Sequence, residues 1–337
     1  MPDASDKLVR DLKNFVAGEW VDSDDRIEVT NPYTNEVVGT VPKMGLDQVK
    51  KAIDFMYDYE PELTAYERSE ILRASAAEIK SRTDELAYGI SLESGMSIQD
   101  STKEVGRGVG LILTAAEEAK RIMGEQLPSD VDASGADKLI LALRHPVGLV
   151  SAIVPFNRPM NQVVVKVAPS FAAGNKTIVK PTERTPMSAI RFVEILLNNG
   201  MPPGMIGVVT GKSSEIGNEL VSSQKIDMVT FTGSTEVGRK LTNMAGIKKL
   251  TMELGGNDPL IVLDDADVKL AAKLTVAGAY GNAGQACRGV KRVLVVDSVA
   301  DEYAKEVTAL TEAIKYGDPF APGIAVGTVI DEKAAIE

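Results

Sequence analysis

From about residue 150 onward, short apolar segments alternate with segments of helical periodicity, and this alternation limits the folds that the chain can adopt. The segments TIVK at 177–180, IGVVT at 206–210 and DMVTFT at 227–232 resemble buried strands, and each precedes a helical pattern. Strands joined by helices pair in parallel, because the chain crosses back over the sheet between them. The pattern therefore predicts an α/β fold built on a doubly wound parallel sheet.

The first part of the chain has a different pattern, in which strands come first and helices follow. Residues 26–42 are expected to form two short strands around an Asn-Pro turn. Helical spacing covers 45–60, where Asp47 is a candidate cap, and then 64–94 and about 97–123. We therefore expect a strand pair followed by three helices.

A second α/β unit is predicted to begin near residue 250. It contains the strand-like segments KLTMEL, LIVL and VKRVLVV, with a helix over about 267–281 before the last of them and another helix after it. The glycines at 255 and 256 make a sensible junction between the two units.

The composition excludes several classes of function. The net charge of −11 over 337 residues argues against a nucleic-acid-binding surface. The single cysteine, Cys287, excludes an intrachain disulfide and a cysteine-rich metal site, and the single histidine, His145, excludes the usual multi-histidine metal sites. We therefore predict no metal, and we expect general-base chemistry to belong to a carboxylate.

The same counts bear on location. A lone cysteine fits a reducing cytoplasm. The charged segment MPDASDKLVRDLKNF holds no apolar core of a signal peptide, and no apolar run reaches the 18 residues of a membrane span. We expect a cytoplasmic protein that acts on a small molecule.

Two segments combine a strand end with polar groups that suit a ligand. VPFNRP at 154–159 is a turn held by two prolines with Asn157 at its tip, where a side-chain amide can donate to an oxyanion. In FTGS, Gly233 allows close approach and Ser234 caps a helix whose N–H groups suit a phosphate. Taken singly, each is also an ordinary turn, and the G-x-G-x-x-G fingerprint is absent from the second.

Two further segments carry acid–base and nucleophilic groups. MELGGN places Glu253 at a strand end before two glycines, and GNAGQACRG places Cys287 among small residues with Arg288 beside it. A reactive thiol needs access and a positive or dipolar neighbourhood. On these segments alone, a solvated carboxylate and an inert thiol are the simpler explanations.

Together the segments resemble the aldehyde dehydrogenase superfamily. VPFNRP, VKPTERTP, FTGSTEVG, MELGGN and GNAGQAC are similar to the family's segments and occur in the family's order, with Cys287 34 positions after Glu253. NPYTNEVVGTVP is similar to the family's N-terminal segment. The resemblance covers essentially the whole chain.

The resemblance implies a catalytic set of Cys287, Glu253 and Asn157. Cys287 would attack the aldehyde, and the Asn157 amide and the Cys287 N–H would stabilise the oxyanion. Glu253 would activate water to release an acid, or would first deprotonate the thiol. Glu253 favours hydrolysis over transfer of the acyl group to coenzyme A.

The resemblance also implies a dinucleotide cofactor. Lys180 and Glu183 are similar to the pair that holds the adenosine ribose, and a carboxylate there would repel a 2′-phosphate, so NAD is favoured with NADP as the alternative. The residues that the resemblance assigns to the cofactor are Ile153, Pro155, Phe156, Lys180, Glu183, Gly211, Gly217, Phe231, Gly233, Ser234, Val237 and Leu254.

Three arginines suggest an anionic substrate. Arg158 follows the asparagine, Arg288 follows the cysteine, and Arg107 lies in a helix that lines the substrate tunnel in the family. Guanidinium groups favour a short aldehyde with a distal anion. The sequence around these residues resembles that of the phosphonoacetaldehyde and semialdehyde dehydrogenase branch. That branch often carries an arginine where this chain has Ala286.

The resemblance divides the chain into a dinucleotide-binding domain over 1–122 and 145–250, a β-hairpin oligomerisation arm over 123–144 and an incomplete catalytic domain over 251–337. The family's C-terminal part, with its Glu-x-Phe-Gly-Pro segment, is not in the sequence. We expect a homodimer or homotetramer, with weak or absent activity unless a second chain supplies that part. The alternative function is an impaired fragment that binds nucleotide or assembles with partner chains.

Overall fold

The computed structural model describes residues 10–336. Residues 1–9 and 337 lie outside this range, so the prediction that no signal segment begins the chain falls largely outside the described residues. Among residues 10–336, no helix combines the length and the apolar character needed to cross a bilayer.

The first part of the chain forms two strand pairs and four helices. In chain order these elements are β1 (Asn14–Val16), β2 (Glu19–Val21), β3 (Arg26–Thr30), β4 (Val37–Pro42), α1 (Leu46–Asp58), α2 (Ala65–Ser81), α3 (Thr83–Ser94) and α4 (Ile98–Ala119). The strand pair predicted over 26–42 is confirmed, since β3 and β4 pair antiparallel.

Two details of this part differ from the sequence prediction. Gly45, not Asp47, is the N-cap of α1, and Asp47 lies inside the first turn. The single helix predicted over 64–94 is two helices that meet at Arg82, whose backbone leaves the helical region. The Arg82 guanidinium bonds Glu78 on one helix and Glu85 on the other, and these ion pairs hold the junction.

The remaining chain follows the predicted alternation of strands and helices. The elements are β5 (Glu125–Leu127), β6 (Ile140–Ala142), β7 (Leu149–Ile153), α5 (Asn161–Ala172), β8 (Lys176–Lys180), α6 (Met187–Asn198), β9 (Ile206–Val208), α7 (Ser213–Ile216), α8 (Glu219–Ser222), β10 (Met228–Thr232), α9 (Thr235–Ala245), β11 (Lys249–Glu253), β12 (Asp258–Val262), α10 (Val268–Tyr280), β13 (Val290–Val295), α11 (Asp297–Glu312) and α12 (Glu332–Ile336).

The main sheet has seven strands in the order β11-β10-β7-β8-β9-β1-β2. The five strands from β11 to β9 are parallel, and β1 and β2 extend the sheet antiparallel. β7 is the first of the parallel strands in the chain, with β8 on one side and β10 on the other, so the order reverses at β7. Ligands of such sheets bind beyond the carboxyl ends at this point.

Helices cover both faces of the sheet, as the doubly wound prediction requires. Val179 and Ala152 join the cluster that contains side chains of α2 to α6. Their neighbours Ile178 and Leu149 join the cluster that contains side chains of α1, α7 and α8. Successive strand residues point to opposite faces, so both sides of β7 and β8 are buried.

The second unit is smaller and begins later than predicted. The segment KLTMEL forms β11, which pairs with β10 over its full length and therefore completes the first sheet. The second unit is a parallel pair, β12 and β13, packed on α10 and α11 around Val262, Ala272 and Tyr303. Its start falls at the predicted glycine junction, between Glu253 and Asp258, rather than at 250.

The segment 123–144 forms an exposed hairpin. β5 and β6 pair antiparallel, with Leu127 opposite Ile140. Large apolar side chains face solvent along it, among them Val131, Leu139 and Leu143. The predicted hairpin is confirmed, and its role in oligomerisation stays a prediction.

Two buried carboxylates hold the beginnings of helices near the reversal point of the sheet. Glu93 accepts hydrogen bonds from the Met187 and Ser188 N–H groups at the start of α6. One oxygen of Glu104 accepts from the Met160 and Asn161 N–H groups at the start of α5, at 3.0 and 3.1 Å. Free N–H groups and the helix dipole make these positions favourable for a carboxylate.

Burial raises the pKa of Glu104 to about 7, the largest influence on that group. Its second oxygen, Oε2, is buried without a hydrogen-bond donor among the described residues, and the Arg158 guanidinium lies 3.8 Å away. A proton on Oε2 would therefore leave both bonds to the start of α5 intact.

We expect Glu104→Gln to change the pH dependence of stability. The pKa of Glu104 is higher in the folded than in the unfolded protein. Its carboxyl therefore contributes fully to the free energy of unfolding below the unfolded-state pKa, and this contribution is lost as the pH rises toward 7. Glutamine mimics the protonated form at every pH. The free energy of unfolding of the variant, relative to that of the wild type, should therefore increase by about 1–3 kcal/mol from pH 5 to pH 8. Denaturant unfolding at both pH values measures this, and an equal difference at both would contradict it.

Candidate active site

A cleft of about 390 Å³ opens where the carboxyl ends of β10 and β11 meet the second unit. It brings together the three residues predicted for catalysis and the three predicted arginines, which are Asn157, Glu253, Cys287, Arg107, Arg158 and Arg288. Cys287 and Glu253 come from different units, and Asn157 lies in the turn between β7 and α5. Residues far apart in the chain therefore line one cleft.

Asn157 sits at the tip of the turn, as predicted. Its Nδ2 donates to the Gln285 carbonyl at 2.8 Å, and its Oδ1 is buried without a donor among the described residues. A primary amide has two N–H hydrogens, so one remains after the bond to Gln285. The turn can therefore present one amide hydrogen to the cleft.

Cys287 lies in the loop between α10 and β13. The loop begins with a 3₁₀ turn over 281–284 in which Asn282 and Ala283 both have left-handed backbones, with φ of 54°. Asn282 Nδ2 donates to the Asn157 carbonyl at 2.8 Å. The Cys287 side chain is exposed, which gives a thiol the access that reactivity requires.

Glu253 is the last residue of β11 and its side chain is exposed at the cleft. The glycines after it allow a close approach, because a Cβ on Gly256 would lie 2.3 Å from the Cys287 carbonyl oxygen. No larger residue fits between these backbones. Gly256 thus brings the segment that carries Glu253 against the loop that carries Cys287.

Lys166 is a cleft residue that the sequence analysis missed. It lies on α5, is buried, and donates to the Thr232 hydroxyl at 2.8 Å and to the Thr230 hydroxyl at 3.3 Å. Burial lowers the pKa of Lys166 to about 8, and the charge of Glu253 partly opposes this shift. A lone lysine in the apolar helix NQVVVKVAPSFA was the available signal.

The three arginines differ in their surroundings. Arg158 is half-buried, lies 3.8 Å from Glu104 and donates to the Met96 sulfur. Arg107 and Arg288 are exposed and form no ion pair within residues 10–336. The two unpaired guanidiniums are thus the ones free to meet an anion in the cleft.

The residues predicted for the cofactor lie along the carboxyl edge of the parallel sheet. Lys180 ends β8, is buried, and donates to the Pro181 carbonyl at 3.2 Å. Burial lowers the pKa of Lys180 to about 8. One oxygen of Glu183 accepts from the Ser213 N–H at 2.8 Å, and its other oxygen meets no donor in the described chain.

The turn after β10 follows the prediction for FTGS. The Ser234 hydroxyl accepts from the Val237 N–H and caps α9. Leu254 packs so close to α9 that a Cβ on Gly238 would lie 2.4 Å from its side chain. The remaining predicted residues lie at the ends of β7, β9 and β10 or in the α7 region, and these are Ile153, Pro155, Phe156, Gly211, Gly217, Phe231 and Gly233.

Two other kinds of site, a histidine base and a metal centre, were considered for the described residues. His145 is exposed in the segment between β6 and β7 and does not line the cleft. Within residues 10–336, no group of three or more histidine, cysteine, aspartate or glutamate side chains is arranged to hold a metal ion.

Comparison with known proteins agrees with the geometry. The profile described as "Aldehyde dehydrogenase family" matches residues 20–337. The chain belongs to the aldehyde dehydrogenase family. The chain is 39% identical to mitochondrial succinate-semialdehyde dehydrogenase of Arabidopsis thaliana over 96% of its length, and 38% identical to the NADP(+) succinate-semialdehyde dehydrogenase GabD of Escherichia coli over 95%.

The family's fold is confirmed by solved structures. The crystal structure of an NADP-dependent enzyme of E. coli superposes with a TM-score of 0.93 at 37% identity, covering 97% of this chain and 69% of that one. The chain spans 62% of the length of the Arabidopsis relative and 67% of GabD. The two succinate-semialdehyde dehydrogenases agree with the predicted resemblance to semialdehyde dehydrogenases. The predicted resemblance to phosphonoacetaldehyde dehydrogenases stays a prediction.

We expect Gly256→Ala to destabilise the protein by about 1–3 kcal/mol, because a backbone oxygen cannot move away from the new Cβ without shifting the cysteine loop. Gly281→Ala is the matched control in that loop, since a Cβ there meets nothing within 4 Å. Denaturant unfolding measures both, and equal stabilities of the two variants would refute the close-approach role of Gly256.

Proposed function

We propose that the protein oxidises a short anionic aldehyde to its carboxylic acid, with NAD as the preferred electron acceptor. The observation that carries the proposal is the cleft in which Cys287, Glu253 and Asn157 meet with three arginines. A lone thiol, a carboxylate and an amide donor are the groups that covalent acyl chemistry needs.

In the proposed mechanism, the Cys287 thiolate attacks the aldehyde carbon. The oxygen of the resulting thiohemiacetal becomes negative, and the free hydrogen of the Asn157 amide and the Cys287 N–H are the donors that stabilise it. One positioned donor of this kind contributes about 2.7–4 kcal/mol. The Cys287 N–H is available, since it forms no hydrogen bond within residues 10–336.

The carboxyl edge of the sheet fits a dinucleotide. Lys180 retains N–H groups beyond its bond to Pro181, and Glu183 retains one free oxygen, so together they offer a donor and an acceptor to a ribose diol. The negative charge of Glu183 disfavours a 2′-phosphate, which supports NAD over NADP. Lys180 and Glu183 would hold the dinucleotide by its ribose, and the bound nicotinamide would supply hydride-accepting chemistry. The acyl group would stay on Cys287 as a thioester.

Glu253 then acts as the general base that activates water for thioester hydrolysis. Its exposed position at the cleft gives it access to water. The charge of Glu253 partly opposes the lowering of the Lys166 pKa by burial, so a cationic side chain lies close to this carboxylate. Water attack on the thioester carbon breaks the C–S bond, frees the acid and restores the thiolate.

The substrate class follows from the arginines. Arg107 and Arg288 line the cleft and form no ion pair within residues 10–336, while Arg158 is paired with Glu104 at 3.8 Å. Succinate semialdehyde, named for two relatives, carries a distal carboxylate of the kind these guanidiniums would bind. Among the three, Arg107 and Arg288 are therefore the stronger candidates for anion binding.

We also propose that the hairpin over 123–144 mediates homo-oligomerisation. Its exposed Val131, Leu139 and Leu143 are the kind of apolar surface that a partner subunit covers.

We propose the cytoplasm as the location of the protein, because a nucleophilic thiol must stay reduced.

Glu253→Gln should uncouple the two halves of the reaction. With aldehyde and NAD, we expect a burst of about one NADH per site followed by turnover about 100–10,000-fold below wild type, because the thioester forms but water is not activated. Stopped-flow fluorescence and intact mass of the acylated protein measure this. Cys287→Ala should abolish the burst, and Glu302→Gln, an exposed site on α11, is the matched control. NAD binding without any NADH from wild type would favour the nucleotide-binding alternative.

Arg107→Leu and Arg288→Leu should each reduce kcat/KM for succinate semialdehyde by about 10–100-fold, the effect of losing one charge-assisted hydrogen bond. Propionaldehyde, which has no anion, should be affected less than threefold (about 0.6 kcal/mol). Arg121→Leu, which removes an exposed arginine paired with Glu118, is the control. Propionaldehyde turnover as efficient as that of the anionic aldehyde would contradict the arginine assignment.

A further inference from the structure

We infer that Asn282 is a positioning residue that locks the cysteine loop to the asparagine turn and thereby fixes the oxyanion site. The inference rests on the proposed roles of Cys287 and Asn157. Neither group positions the other by itself, because one follows a helix of the second unit and the other follows a strand of the first.

Two hydrogen bonds run in opposite directions between the loop and the turn. Asn282 Nδ2 donates to the Asn157 carbonyl at 2.8 Å, and Asn157 Nδ2 donates to the Gln285 carbonyl at 2.8 Å. Each segment thus contributes one side-chain amide and one backbone carbonyl. Such a reciprocal pair restrains both the separation and the relative rotation of the two segments, whereas a single bond would leave the rotation free.

The second bond decides where the Asn157 amide points. One of its two hydrogens is held by the Gln285 carbonyl, so the plane of the amide is set and the other hydrogen has a fixed direction. The first bond fixes the backbone that carries this amide. Loss of the Asn282 amide would therefore let the turn move relative to Cys287, even though Asn282 touches no reacting atom in the proposed mechanism.

The backbone of the loop is consistent with a position held for function. Asn282 and Ala283 are consecutive left-handed residues without glycine, a conformation that L residues adopt at a cost. Asparagine tolerates it better than most residues. The Asn282 side chain is 5% exposed, so its amide is committed to this contact and not to solvent.

Gln285 supports the same loop from its other side. Its Nε2 donates to the Asn282 carbonyl at 3.2 Å, and its Oε1 accepts from the Ile330 N–H at 2.9 Å. The next residue, Asp331, pairs with Arg184 at 2.7 Å, beside the predicted ribose-binding Glu183. The cysteine loop is thus bonded to the segment at 330–331, which in turn contacts the residue beside Glu183.

An assay that needs the oxyanion site but no cofactor tests the inference. When p-nitrophenyl acetate reacts, the thiolate attacks the acyl carbon, a tetrahedral oxyanion forms, the ester C–O bond breaks and nitrophenolate leaves. Methyl methanethiosulfonate reacts with the same thiol at sulfur, where sulfinate leaves and no carbonyl oxyanion forms. The ratio of the two rates therefore reports the oxyanion site separately from thiol access and ionisation.

Asn282→Gly removes the amide and accepts the left-handed backbone without strain. We expect its acylation rate to fall at least tenfold while its thiosulfonate rate stays within twofold of wild type. Asn282→Asp, which keeps the shape but cannot donate, should show the same fall in the ratio. Ala283→Gly is the matched control, because it relaxes the neighbouring left-handed residue without removing a hydrogen bond, and it should leave the ratio unchanged.

Three results would overturn the inference. They are an unchanged acylation rate in Asn282→Gly, an equal fall in both rates, and an equal effect of Ala283→Gly. If wild type releases no more nitrophenolate than Cys287→Ala, the nucleophile assignment and the inference fail together. If acylation proceeds but NADH never forms, the proposed oxidation fails while the inference stands.

Discussion

The parallel pairing of β7 with both β8 and β10 is the constraint on which the site depends. It places three carboxyl strand ends side by side, so the turn with Asn157, the lysine that ends β8 and the cap of α9 face one edge of the sheet. Helices on both faces exclude water from the central strands, so the side chains on both faces of this pairing are buried. The polar groups beyond the strand ends inherit that rigidity.

Buried charges and missing side chains refine the placement. The Glu104 carboxylate ties the start of α5 to α4 and holds the segment directly after Asn157. Between Glu253 and the second unit, the absent side chain of Gly256 allows two backbones to come into contact. The chain uses a buried acid and a glycine close contact for the same purpose, which is to limit the movement of a loop that carries a reactive group.

Much of the fold follows from local pattern, because alternating strands and helices with buried strands leave few arrangements. The assignment of β11 to the first sheet could not be predicted, since a half-exposed edge strand has no mark of the sheet it joins. The break at Arg82 was hidden because no proline or glycine lies beside it, and the one glycine of the segment, Gly89, lies inside the second helix. The hairpin, the parallel sheet with helices on both faces and the FTGS cap were all predicted and found.

The candidate site shows the same division. Asn157, Glu253 and Cys287 stand in motifs, and the fold brings them to one cleft. Lys166 was missed because a lone lysine on an apolar helix is normally a solvated residue. The pairing of Arg158 with Glu104 depends on a carboxylate in another helix, and the partners of Asn282 lie in a distant turn. Tertiary contacts decide the ionisation and orientation of these groups, and short sequence patterns do not encode them.

The two-unit architecture separates the residues proposed to bind nucleotide from the proposed nucleophile. The edge that carries Lys180, Glu183 and the α9 cap belongs to the large sheet, whereas Cys287 lies in a unit whose core cluster, within residues 10–336, has four buried apolar side chains. The smaller core is the weaker of the two, so fraying of the second unit would disperse the reacting groups first. A population of molecules that still holds nucleotide but has lost its nucleophile would then look folded to spectroscopy and be silent in catalysis. Under the proposed function, cofactor binding and catalytic activity would therefore be distinct measures of the integrity of this chain.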